Sequence, residues 1–134
     1  MNLVIGIIAA AASAFTAFAF FKAGMFKAGA SRQKLLDAGF GWIENISLGT
    51  VRLIAWLEIL GVAGLVLGVI GYFIGFQWAL WFAVAAAIGL ALTMIGAILL
   101  HASRGESKYT LKMNLALLFP PLVAAVLWAI FPSL

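Results

Sequence analysis

The chain has 134 residues, 66% of them apolar and only 9% charged, with a net charge of +4 from eight Lys/Arg against four Asp/Glu. That is too little charge to clothe a water-soluble domain of this size, so lipid is the expected solvent. The absence of cysteine excludes disulfides, thiol redox chemistry and cysteine-ligated clusters, and one His with four scattered acids offers no metal site.

Residues 1–21, 59–103 and 113–134 carry no Lys, Arg, Asp or Glu. A membrane helix needs about 20 apolar residues to cross the hydrocarbon. The outer stretches are one span each, and the central one, extended back to Val51, makes two spans broken at Gly75-Phe76-Gln77. The predicted architecture is an all-α bundle of four transmembrane helices in a single domain, 1–134, with spans at about 3–21, 51–74, 78–100 and 113–131.

The first span ends in Lys22 and Lys27 rather than beginning with basic residues. Ala12-Ser13-Ala14 resembles a cleavage site, but without a positive n-region a retained span is expected. The 22–50 connector is long. Within it, Ser31–Asp37 reads as a short capped helix, and Gly39-Phe40-Gly41-Trp42-Ile43 as an apolar element at the membrane surface or over the bundle.

The second span carries Gly61, Gly64, Gly68, Gly71 and Gly75 in a 3-4-3-4 spacing, and the third carries Ala85, Gly89, Thr93 and Gly96. In the first, Gly6, Ala10, Ser13 and either Thr16 or Ala17 make a comparable row. Small residues let helices approach closely in lipid, so these rows are expected to be packing seams. In the fourth, Pro120-Pro121 withdraws backbone donors and predicts a kink or split.

Four spans place Lys22, Lys27, Arg32, Lys34, Arg52, Arg104, Lys108 and Lys112 on one side of the bilayer. The positive-inside rule makes that side cytoplasmic, with loops 22–50 and 101–112 inside and both termini outside. Tyr72, Trp78, Trp81 and Trp128 are expected at the outer edge, and Trp42 and Trp56 near the inner one. The basic residues flank spans, so their expected partners are lipid headgroups and not nucleic acid.

Glu58 is the only acid inside a span, about 10 Å along the second helix from Val51 at 1.5 Å per residue. An ionised side chain in the membrane costs about 2.5–3.5 kcal/mol, so Glu58 is expected to face the bundle as a neutral, hydrogen-bonding acid. Thr16 falls at a matching depth, with His101 and Asn114 shallower. Thr16, Glu58, His101 and Asn114 are therefore the candidate ligand site, with Glu58 and His101 as candidate catalytic acid–base groups. Arg52 lies roughly 120° around the helix from Glu58 and is a poor partner for it. A structural clasp between helices competes with a functional role for Glu58, and helix-dipole stabilisation alone explains a His at a helix end.

Arg52-x5-Glu58-x2-Gly61-x2-Gly64-Leu65, Met94-x-Gly96-Ala97-x3-His101-x2-Arg104-Gly105-Glu106 and Phe21-Lys22-Ala23-Gly24-x2-Lys27 resemble the DoxX-like family of small four-helix membrane proteins. Ala55 departs from the glycine often found between the Arg and the Glu. Some members of that family resemble membrane subunits of quinone-linked thiosulfate oxidation or redox-defence assemblies, and the wider family includes an assembly chaperone for animal ion channels. The resemblance implies an accessory, quinone- or lipid-contacting subunit of a larger assembly or homo-oligomer, in a bacterial plasma (inner) membrane. Two alternatives are an enzyme or binder for a lipophilic substrate using Glu58 and His101, and a structural or assembly chaperone. Small multidrug pumps also have four helices and one membrane Glu, but theirs lies in the first helix, where this chain has no acid.

Overall fold

In the computed structural model, which describes residues 2–134, four long helices account for most of the chain: α1 (Asn2–Gly29), α3 (Leu48–Phe73), α4 (Ala79–Ser103) and α5 (Ser107–Ile130). Each is long and apolar enough to cross a membrane. Between α1 and α3 lie the short α2 (Arg32–Asp37) and a 3-10 turn, Gly41–Asn45, and a second 3-10 turn, Phe131–Ser133, closes the chain. α1 packs on α3 and α5, and α4 packs on the same two, so the helices form an up-and-down four-helix ring.

The helix ends follow from three glycines with positive φ: Gly39, Gly75 and Gly105. Each sits just past a helix C-terminus, where a left-handed residue lets two following N–H groups turn back onto orphan carbonyls. After α2, Gly39 donates to Leu36 and Phe40 to Leu35. After α3, Gly75 donates to Tyr72 and Phe76 to Gly71. After α4, Gly105 donates to Ala102 and Glu106 to His101. The connectors at Gly75 and Gly105 are therefore tight, and the expected 101–112 loop contracts to residues 104–106 between α4 and α5.

α1 is longer than its uncharged stretch. It continues through Lys22 and Lys27 to Gly29, because lysine is a good helix former and only Ala9, Ser13, Thr16, Phe20, Gly24 and Lys27 need to face inward. That row keeps a 3-4 spacing throughout. The short helix expected at Ser31–Asp37 is present, with the Ser31 hydroxyl accepting from the Lys34 N–H. Leu35, Ile43 and Val51 are fully buried with Ala30 beneath this connector. Arg32 ties it down by donating to the carbonyls of Ile43 (2.7 Å) and Ile46 (3.1 Å).

The glycine row of α3 is a packing seam against α4. A Cβ on Gly61 would meet Leu90, one on Gly64 would meet Ala86, and one on Gly68 would stand 2.6 Å from the Ala83 nitrogen. The facing row on α4 is not the expected Ala85-Gly89-Thr93-Gly96. Gly89 and Gly96 have open space where a Cβ would go. Ala79, Ala83 and Ala87 make the buried row instead, because a methyl group already fills the groove that glycine leaves on α3.

Trp128 is also placed differently from the expected membrane edge. It is fully buried in α5, and its indole N–H donates to the Ser13 hydroxyl at 2.8 Å, which in turn donates to the Ala9 carbonyl. Trp78 and Trp81 remain exposed near the uncharged end. α5 runs without interruption through Pro120 and Pro121, so the expected split does not occur.

Candidate functional site

All eight basic residues gather at the end of the bundle where α1 and α4 finish and α3 and α5 begin. There Gly24 sets the approach of α1 to α3: a Cβ on it would stand 2.9 Å from Ile59 and 3.1 Å from the Ala55 carbonyl. Lys27 lies almost one turn beyond, and its ammonium donates to Oε1 of Glu58 at 2.7 Å. Both side chains are at least nine-tenths buried. Side chains lean toward the N-terminus of their own helix. On antiparallel helices that tilts Lys27 inward and Glu58 outward, and the two meet. Arg52, also on α3, donates to the Lys27 main-chain carbonyl. The Arg52-x5-Glu58 spacing thus holds one residue of α1 at both its backbone and its side chain.

Glu58 is therefore not the lone acid expected from its position: its carboxyl accepts from Lys27 of the neighbouring helix. Lys27 is the residue that sequence reasoning missed. Its signal was the 3-4 row Ser13-Thr16-Phe20-Gly24-Lys27, visible once the first helix is allowed past its first lysine.

His101 does not join Glu58. Its Nδ1 lies 2.6 Å from Oε2 of Glu106, and Oε1 of the same carboxylate accepts from Arg104 Nε at 2.8 Å. The turn at Gly105 folds Glu106 back over the end of α4 and makes this three-residue clasp. Hydrogen bonds from His101 and then Arg104 hold the Glu106 carboxyl below its ordinary value.

Inside these pairs lies a cavity of about 640 Å³, within the range of small-molecule sites. Every long helix contributes to its wall, and Gly39, Phe40 and Trp42 of the connector also border it. Glu58, His101 and Asn114 line it together, whereas Thr16 does not. The Thr16 hydroxyl donates to the Ala12 carbonyl at 2.7 Å and is fully buried elsewhere in the bundle. Most of the lining is hydrocarbon, with Phe20, Met94, Leu100 and Leu117 among it. The hydroxyls of Thr93 and Thr110 are spent on carbonyls of their own helices. Among the described residues, two buried side-chain atoms lack a partner in the chain: Oε2 of Glu58 and Nδ2 of Asn114. Both belong to residues of the cavity wall. No group of three or more His, Cys, Asp or Glu among the described residues is placed to hold a metal.

Fold and site together define a four-span integral membrane protein with a buried ion pair beside an apolar cavity at its charged end. The profile of the DoxX-like family matches residues 11–130, and the chain belongs to that family. Nothing matches it among curated proteins or among solved structures.

Proposed function

We propose that this DoxX-like protein binds the head of a lipophilic molecule, a quinone or lipid, in the cavity at its charged end. In this reading it serves as an accessory subunit of a larger redox assembly in a bacterial plasma membrane. The observation that carries the binding reading is that Glu58 and Asn114, each with a buried polar atom lacking a partner in the chain, both line a cavity otherwise rich in hydrocarbon. A buried polar group without a partner costs about 1–3 kcal/mol, and a ligand that satisfies it recovers that cost. The charge row favours an orientation with this end in the cytoplasm.

Acid–base catalysis by a Glu58–His101 pair has less support, because each of the two is engaged elsewhere, with Lys27 and with Glu106. A purely structural role accounts for the Lys27–Glu58 clasp and leaves the cavity unexplained.

The test is purification at native size in mild detergent, followed by solvent extraction, mass spectrometry of bound lipophiles and identification of co-purifying proteins. The expected result is a bound quinone or lipid and a partner protein. A free monomer that carries neither overturns the proposal.

A further inference from the structure

The two unpartnered atoms ask for opposite partners. Facing the Lys27 ammonium at 2.7 Å, Glu58 as a carboxylate presents an Oε2 that only accepts hydrogen bonds. Nδ2 of Asn114 only donates. A head group that serves both must donate to the first and accept from the second.

Few uncharged groups do this. A hydroxyl is among them, since it both donates and accepts. Ketones, ethers and esters only accept, so they satisfy Asn114 and leave the carboxylate bare. An ammonium only donates and leaves Asn114 bare. A second carboxylate would accept only and would bring a like charge beside Glu58. Charge balance points the same way: Lys27 already neutralises Glu58, so the pair presents no net charge to an occupant. The remaining wall, with Phe20, Met94, Leu100 and Leu117, suits a hydrocarbon body.

We infer that the cavity selects an uncharged lipophile by a hydroxyl on its head, an alcohol or a phenol, with Glu58 as the acceptor and Asn114 as the donor. This rests on the cavity being a ligand site, as proposed above. The two residues then have separable roles. Glu58 discriminates, because a hydroxyl donates to it and an ether cannot. Asn114 adds affinity without discriminating between a hydroxyl and an ether, because both oxygens accept. A site built to hydrogen-bond a hydroxyl rejects the analogue lacking that hydrogen by roughly tenfold or more.

The experiment titrates the full chain, in lipid nanodiscs, with matched probes: 4-nonylphenol against its methyl ether, and farnesol against farnesyl methyl ether, followed by calorimetry. The expected result is a preference of about tenfold or more for the hydroxyl in at least one pair. The pair with the larger ratio distinguishes a phenolic source, to which reduced quinones belong, from an isoprenoid alcohol. In Asn114→Leu both members of the preferred pair should weaken together and the ratio should persist. In the double variant Lys27→Met with Glu58→Met the ratio should fall to about one, because the acceptor is gone. Equal binding of hydroxyl and ether in the unmodified chain overturns the selection and leaves the cavity a binding site. Absence of saturable binding by any of the four overturns the binding reading as well.

Discussion

The ammonium of Lys27 meets Oε1 of Glu58 at 2.7 Å, although Lys27 lies two residues from the end of α1 and Glu58 ten residues beyond the start of α3. Antiparallel helices supply the reach, since each side chain leans along its own helix toward the other. The missing side chain of Gly24 supplies the proximity. Two opposite charges enter the bundle as one neutral unit, a much smaller burden on membrane insertion than either alone.

Removing one member of that unit is therefore expected to cost more than removing both. Lys27→Met leaves an uncompensated buried carboxylate, and the expected loss is about 3–5 kcal/mol. The double variant Lys27→Met with Glu58→Met should recover most of it, because replacing a buried pair with hydrocarbon of similar volume is often neutral. Thermal unfolding of the three proteins in one detergent measures this. A double variant no more stable than Lys27→Met would mean that the pair is not the unit of stability.

Much of this fold was legible in the sequence for a single reason: lipid admits only helices and closed barrels, and unbroken apolar runs of this length select helices. The spans, the capped helix after Ser31 and the glycine row of α3 all follow from spacing. What was misread turned on individual side chains. Ending the first helix at its first lysine hid Lys27, because charge in a membrane chain reads as an edge even when it lies on the buried row. Trp128 looked like an edge residue for a similar reason, since tryptophan favours the interface. Ser13, three spans earlier in sequence order, is what satisfies its N–H inside the bundle. Glu58, His101 and Asn114 line one cavity, whereas the partner of His101 depends on a turn at Gly105 that folds Glu106 onto it.

The clasp of Glu106 with His101 and Arg104 should make stability depend on acid. Its carboxyl is held below the ordinary value in the fold, so its contribution is present above the unfolded value and is lost as pH falls through the folded one. Thermal unfolding midpoints should therefore drop below the usual carboxylate range by more in the unmodified chain than in Glu106→Gln. Parallel pH profiles for the two proteins would exclude the clasp as a source of acid sensitivity.

Two glycines on facing helices should respond oppositely to the same change. A Cβ on Gly68 would stand 2.7 Å from the Ala79 carbonyl oxygen and 2.6 Å from the Ala83 nitrogen, so Gly68→Ala must push backbone apart. The expected cost is about 1–3 kcal/mol. Gly89→Ala meets open space and gains helix propensity, so it should be neutral or stabilising by up to about 1 kcal/mol. Unfolding in a common detergent compares them. Equal effects would place the α3–α4 contact elsewhere than along Ala79 and Ala83.

The orientation can be read with single cysteines, because the chain has none of its own. Lys108 and Ser133 are both exposed, one at each end of α5 and its closing turn. The positive-inside rule, applied to the eight basic residues at the Lys108 end, predicts that this end faces the cytoplasm. In intact bacterial cells a membrane-impermeant maleimide should therefore label Ser133→Cys and leave Lys108→Cys unlabelled until the membrane is opened. The opposite pattern would turn the cavity's charged end outward, and a ligand would then have to reach Glu58 and Asn114 from the outer leaflet. Equal labelling of both in intact cells would mean insertion in two orientations, which so one-sided a charge distribution should prevent.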